Sequence, residues 1–311
     1  MHHMLSLATV AQGDFLALIE RARAFSLDPF PRNTPLAGRS VGLEFRKTST
    51  RTRTSFAVAA VRLGAHPIIF GPADLQTNTG ETLEDTVAVL SRYLDVLVLR
   101  TAGDPAELQR MAQQNTLPIV NAMTADEHPT QALSDISMLT RRFDSLGGLR
   151  LLYSGDGNNT AVALAYAISR TRGMVGDFRT PRNYGLPEPA LQVARALGER
   201  YGGEITHSHA PPSAGMDSGF DVVYTTRWQT TGTTKSDPQW RERFAPYAVH
   251  EELLTKVSRR GRRAVFMHDL PAVRGDECDA GVLDGADSIC MDQAGHKLFT
   301  AMAVLEWCAK P

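Results

Sequence analysis

One repeated alternation narrows the possible folds of this chain more than any other feature. Short apolar runs recur at residues 40–45, 67–70, 95–100, 117–121, 149–154, 220–225 and 263–268. Runs this short and this apolar suit strands buried on both faces. Between them lie stretches with helical spacing, and parallel strands need such crossovers. Residues 54–63 place Phe56, Ala59, Ala60 and Leu63 on one helical face, with Gly64 as the stop. Further helices are predicted over 5–25, 81–93, 105–115 (capped by Asp104, with Pro105 at its first position), from Pro129 onward, and over 161–171, 188–201 and 294–308. The pattern predicts an α/β protein with two parallel-sheet lobes and helices on both sheet faces. Gly147-Gly148 is the expected boundary, giving domains at 1–146 and 147–291 and a C-terminal helix at 292–311.

Composition excludes several function classes. Hydrophobic residues make up 42%, charged residues 22%, and the net charge is −1. No basic excess points to nucleic acid, and no apolar stretch reaches the ~20 residues of a membrane helix. The start, Met1-His2-His3-Met4, lacks the pattern of a signal peptide. Cys278, Cys290 and Cys308 are odd in number and have no metal-type spacing. Free thiols, no metal, no cofactor and a cytoplasmic location are therefore expected.

Polar clusters follow the apolar runs, where an open parallel sheet binds its ligands. They are Ser49 to Arg53, Arg100-Thr101, His128 with Gln131, Asp156 to Asn159, Thr225 to Gln229, and His268 to Arg274. Taken singly, each has a structural explanation: a solvated basic turn, a tight glycine turn, a core histidine at 268, a packing role for Trp228. Six clusters at six strand ends instead predict one site. Ser49, Thr50 and Thr52 offer hydroxyls, and Arg51 and Arg53 offer charge, at the start of a helix whose free N–H groups favour anions. That combination predicts a phosphate pocket.

In this order, Ser49-Thr50-Arg51-Thr52-Arg53, His128-Pro129-Thr130-Gln131, Gly155-Asp156-Gly157-Asn158-Asn159 and His268-Asp269-Leu270-Pro271 resemble the aspartate/ornithine carbamoyltransferase family. The resemblance covers nearly the whole chain. It implies a carbamoyl phosphate lobe, an acceptor lobe, a C-terminal helix packed back on the first lobe, and a homotrimer with shared active sites. It also implies roles. Ser49, Thr50, Arg51 and Thr52 would hold the phosphate. Arg100 and His128 would donate to the carbonyl oxygen, and Gln131 and the Leu270 carbonyl would orient the carbamoyl amide. Lys297 stands where ornithine-type members carry an arginine near carbamoyl phosphate. Gln76 lies in a loop, 73–80, that reaches a neighbouring subunit's site in the family. Catalytic weight falls on Arg51, Arg100, His128 and Gln131.

The acceptor half departs from the family pattern. Ornithine-type members carry Asp where this chain has Thr226, and Ser-Met-Gly where it has Thr230-Thr231-Gly232. Arg227-Trp228-Gln229 resembles the Arg-x-Gln with which aspartate-type members grip carboxylates. Asp269 replaces a cysteine or proline. The expected acceptor-binding set is Asn159, Thr226, Arg227, Gln229, Thr230 and Asp269. The predicted activity moves a carbamoyl group from carbamoyl phosphate to an amino-acid amine. A diamino acid is the expected acceptor, either ornithine or a shorter homologue such as 2,3-diaminopropionate. Aspartate fits less well, because Asp269 repels a dicarboxylate. Two other classes remain open: a silent paralogue that binds an anionic metabolite, and a nicotinamide-dependent dehydrogenase. Gly155-x-Gly157 lacks the third glycine that the dehydrogenase requires.

Overall fold

The computed structural model describes every residue except 213–215, 217, 231–232 and 311. The chain divides into two compact units, Met1–Met138 with Gly295–Pro311, and Leu139–Ala294.

The first unit opens with α1 (Gln12–Leu27), which buries Phe15, Leu18, Ile19, Ala22 and Phe25. Then come β1 (Ser40–Phe45), α2 (Arg51–Arg62), β2 (His66–Phe70), α3 (Leu83–Leu90), β3 (Val96–Arg100), α4 (Pro105–Gln113), β4 (Ile119–Asn121) and α5 (Pro129–Arg142). The four strands form a sheet in the order β2-β1-β3-β4, with every pairing parallel. Central β3, Val-Leu-Val-Leu-Arg, is buried throughout, whereas edge strand β2 exposes Ile68 and Ile69. The Asp104 carboxylate accepts from the Ala106 N–H and starts α4 as expected.

The second unit contains β5 (Arg150–Ser154), α6 (Asn159–Ser169), β6 (Val175–Arg179), α7 (Glu188–Tyr201), β7 (Glu204–Ser208) and β8 (Val222–Thr225). It continues through α8 (Trp240–Phe244), α9 (Glu251–Val257), β9 (Val265–His268) and α10 (Ala280–Leu283). Its sheet runs β7-β6-β5-β8-β9, again all parallel. The last helix, α11 (Cys290–Cys308), carries the chain back to the first unit, where the Ala309 carbonyl accepts from Arg39 and Trp307 Nε1 donates to Asp14. Fold class and strand alternation are as expected.

Several boundaries moved. Helix α2 begins at Arg51 rather than at 54, so Arg51, Thr52 and Arg53 all lie in its first turn. Helix α1 begins at Gln12 rather than at 5, and α11 begins at Cys290 rather than at 294. Strands β6 and β7 were not expected, because Val-Gly-Asp-Phe-Arg and Glu-Ile-Thr-His-Ser alternate apolar and polar residues on the outer side of the sheet. A 3₁₀ turn, Gln76–Thr79, sits within the loop expected at 73–80.

Each sheet has one point where the strand order reverses direction, between β1 and β3 and between β5 and β8. Crevices at the carboxyl ends of such strands are where doubly wound sheets bind ligands. The polar clusters after β1, β3, β5 and β8 fall there, while His128 with Gln131 and His268 to Arg274 follow the edge strands β4 and β9.

Candidate active site

In the first unit, Phe45 pairs in register with Arg100, so β1 and β3 end side by side. The Arg46 N–H donates to the Arg100 carbonyl at 3.1 Å. Between β1 and α2 the chain lines an open cleft of about 510 Å³ with Lys47, Thr48, Ser49, Thr50 and Arg53 among its walls. The Thr50 side chain makes no capping hydrogen bond, so it leaves the N–H groups of the first turn to a ligand. The Arg53 guanidinium stands 5.3 Å over the Phe45 ring, and its buried Nε has no hydrogen-bond partner. Helix polarity, cation and donor together favour an anion in this cleft.

His128 opens α5 after a loop braced by Asn121, whose side chain accepts from the Met123 N–H and donates to the Leu5 carbonyl. The imidazole is buried. Burial, then the nearby charges of Lys297 and Arg100, hold its pKa well below the usual value. It is therefore neutral near pH 7 and presents one N–H donor. Gln131, one turn on, is clamped. Its Nε2 donates to Asp135 at 2.8 Å and its Oε1 accepts from Lys297 Nζ at 2.5 Å. Lysine can only donate and an ionised carboxylate can only accept, so this pair of partners sets the orientation of the amide. Gln131 thus spends one of its two N–H donors on Asp135, and its second N–H and a second lone pair on Oε1 remain for a ligand. Gln76 is exposed on its 3₁₀ turn, with Oε1 accepting from Thr79 at 2.8 Å.

In the second unit, Gly155 has φ 138°, and a Cβ at Gly157 would stand 2.2 Å from the Gly185 backbone. Glycine is required at both positions. The turn they make ends at Asn158, whose side chain caps α6 by accepting from the Thr160 and Ala161 N–H groups. Asn158 also donates to Thr230 at 3.2 Å, and Asn159 is buried as the first residue of the helix. Of the loop expected to replace Ser-Met-Gly, Thr231 and Gly232 lie outside the described residues. Gln229 donates to the Thr233 carbonyl at 2.8 Å. Trp228 packs with Trp240, Phe244 and Ala248, as a core residue would.

The ends of β8 and β9 meet at Asp269. Its Oδ1 accepts from Thr226 at 2.8 Å and its Oδ2 from Thr160 at 2.9 Å. Leu270, with φ 53°, donates its N–H to His268 Nδ1 at 2.8 Å. That nitrogen is an acceptor, so the proton of this buried, neutral ring sits on Nε2 and points at Glu277, 3.2 Å away. His268 is a satisfied core histidine that fixes the backbone at Leu270. Arg274 forms a fork with Asp284 on the surface.

Sequence reasoning missed three participants. Thr160 completes the Asp269 cradle; its signal was a hydroxyl in the first turn after Asn159. Asp135 anchors Gln131 and stands at the i+4 position of the same helix. Lys235, held at 2.8 Å from Asp156 and 4.5 Å from the Tyr184 ring centroid, had no signal in its irregular loop.

Among known proteins, a family model described as the carbamoyl-P binding domain of aspartate/ornithine carbamoyltransferase matches residues 2–141, and the Asp/Orn binding domain of the same family matches 147–308. An ornithine carbamoyltransferase of Parafrankia sp. is 38% identical over 97% of this chain and 93% of its own length. One from Anoxybacillus flavithermus is 38% identical over 88% of this chain and 85% of its own. The crystal structure of the Pyrococcus furiosus ornithine carbamoyltransferase superposes with a TM-score of 0.90 at 32% identity, covering 98% and 96% of the two chains. The two family matches together span nearly the whole chain, which belongs to the aspartate/ornithine carbamoyltransferase family and is a carbamoyltransferase. Within it, the chain is an ornithine-type carbamoyltransferase whose acceptor end departs from the usual pattern.

Proposed function

We propose that this carbamoyltransferase moves the carbamoyl group of carbamoyl phosphate to an amino group of a diamino acid, either ornithine or a shorter homologue such as 2,3-diaminopropionate. The observation that carries the acceptor is a pair of charges without counter-charges at adjoining strand ends. Asp269 meets only neutral partners, and Arg227 makes no hydrogen bond or ion pair among the described residues. An α-amino acid supplies both missing charges. The ornithine carbamoyltransferases among its relatives support ornithine as a candidate.

Carbamoyl phosphate binds the first unit, with its phosphate at Ser49, Thr50, Arg51 and Thr52. Lys297 adds positive charge beside Gln131, and Gln76 reaches the site of a neighbouring copy. His128, as a neutral donor, and Arg100 stabilise the charge that develops on the carbonyl oxygen; one such donor is worth ~2.7–4 kcal/mol. Gln131 Oε1 and the Leu270 carbonyl orient the carbamoyl amide. The acceptor's amine attacks the carbonyl carbon, the bond to the phosphate oxygen breaks, and the phosphate leaves with the amine's proton. Asn159, Thr226, Arg227, Gln229, Thr230 and Asp269 face the acceptor. Three copies form the working unit; the apolar Ile68 and Ile69 on the exposed edge strand support association.

A panel of amines incubated with carbamoyl phosphate, followed by phosphate release, tests the reading. Turnover of ornithine or 2,3-diaminopropionate far above aspartate is expected. Faster turnover of aspartate overturns the diamino acceptor, and tight carbamoyl phosphate binding without release for any amine replaces the enzyme with a metabolite-binding paralogue.

A further inference from the structure

Two carboxylates stand at the carboxyl end of the second sheet, and only one of them is neutralised. Asp156, after β5, is ion-paired with Lys235 at 2.8 Å. Asp269, after β9, has a side chain only 14% exposed and no cation beside it among the described residues. Thr226 and Thr160 each donate a hydroxyl proton to one of its oxygens, at 2.8 and 2.9 Å. Its remaining neighbour, His268 Nδ1 at 3.5 Å, accepts the Leu270 N–H and so carries no proton. The carboxylate is oriented but not compensated, a costly state that a bound cation relieves. Arg227 directly follows Thr226, so a guanidinium without a partner among the described residues belongs to the same strand end. Charges of opposite sign on one ligand carbon match this arrangement.

Building on the transfer reading above, we infer that Asp269, cradled by Thr160 and Thr226, is the seat of the acceptor's α-ammonium and restricts the acceptor to diamino acids. An adjacent carboxylate favours the charged form of an amine. A protonated nitrogen has no lone pair with which to attack. The nitrogen held by Asp269 is therefore not the one carbamoylated, and the acceptor must bring a second amine to the carbonyl carbon. The new C–N bond forms at that second nitrogen, the C–O bond to phosphate breaks with its electron pair on the phosphate, and the proton leaves with the phosphate. Asp269 acts on specificity and not as the base.

The experiment pairs substrates with variants. Wild-type enzyme and Asp269→Asn are compared on ornithine against 5-aminopentanoate, and on 2,3-diaminopropionate against β-alanine, by phosphate release. In the wild type, loss of the α-amine should lower kcat/KM by about 100-fold, consistent with a charge-assisted contact. In Asp269→Asn the two members of each pair should fall within about fivefold of each other, with the acceptor KM raised and the loss in kcat/KM carried mainly by that rise. The double variant Thr226→Asp/Asp269→Thr moves the carboxylate across the 2.8 Å hydrogen bond and should restore at least about tenfold preference for the diamino acid. The product should carry the carbamoyl group on the distal nitrogen. Retention of the full preference in Asp269→Asn overturns the assignment. So does a collapse of kcat at unchanged acceptor KM, or carbamoylation of the α-nitrogen. Absence of turnover with every amine, in the wild type as well, rejects the transfer reading and this inference with it; turnover without α-amine preference rejects the role of Asp269 alone.

Discussion

His128 shows how a single side chain acquires its chemistry from its surroundings. Its sequence signal was a histidine before a proline at a strand end. What it does depends on burial and on Lys297 and Arg100, which hold the imidazole neutral well below its usual pKa. A neutral ring can donate to a carbonyl oxygen without carrying a charge that carbamoyl phosphate would have to compensate. His128→Ala should lower kcat by about 100- to 1000-fold, in line with loss of one oxyanion donor, and a thermal melt should show the variant still folded. Nitrogen NMR of the wild-type imidazole should show no titration between about pH 6 and 8. An imidazolium signal appearing near the ordinary histidine pKa would contradict the buried, cation-flanked geometry.

At the scale of elements, legibility followed burial. Strands β1, β3, β4, β5, β8 and β9 were visible as apolar runs because they are largely buried, while the exposed edge strand β2 was visible only through its Pro67-Ile68-Ile69-Phe70 run. Strands β6 and β7 were hidden because their outer positions carry Asp177, Arg179, Glu204 and His207. The first turn of α2 was hidden for a related reason. Its apolar face begins only at Phe56, and Arg51 to Arg53 have no period to read. The clusters after β1, β3, β5, β8 and β9 were legible as polar stretches following apolar runs, whereas Thr180 with His207 and His209 at the ends of β6 and β7, and the Lys235–Asp156 pair, were not; the partners of that pair lie 79 residues apart and no local pattern joins them. That pair ties the loop after β8 to the turn after β5, and it has a defined pH dependence. Burial raises the Asp156 pKa from 3.8 to about 6, and Lys235 offsets only part of the effect. Because the folded carboxyl keeps a proton that the unfolded chain has released, stability from this group is full below about pH 4 and is lost as pH rises through about 6. The ion pair itself exists only above about 6. Lys235→Met should therefore cost up to about 2 kcal/mol near pH 7.5, where the carboxyl must either stay protonated or ionise without its cation, and little near pH 4. Thermal melts at the two pH values check this.

For the molecule as a whole, two sheets that each reverse strand order at one point place every polar cluster at a strand end. The family match spans both units, and no described helix is long and apolar enough to cross a membrane. The proposed trimer predicts that Ile69→Glu, on the exposed edge strand, shifts the sedimentation coefficient to that of the single chain and lowers activity through Gln76. An unchanged sedimentation profile would place the contact elsewhere. The clamp on Gln131 has a temporal consequence. Lys297 lies 166 residues beyond its partner. On the ribosome, Gln131 waits for this lysine until almost the entire chain has emerged, so a nascent chain halted anywhere before α11 carries a glutamine held by Asp135 on one side and by nothing from α11 on the other.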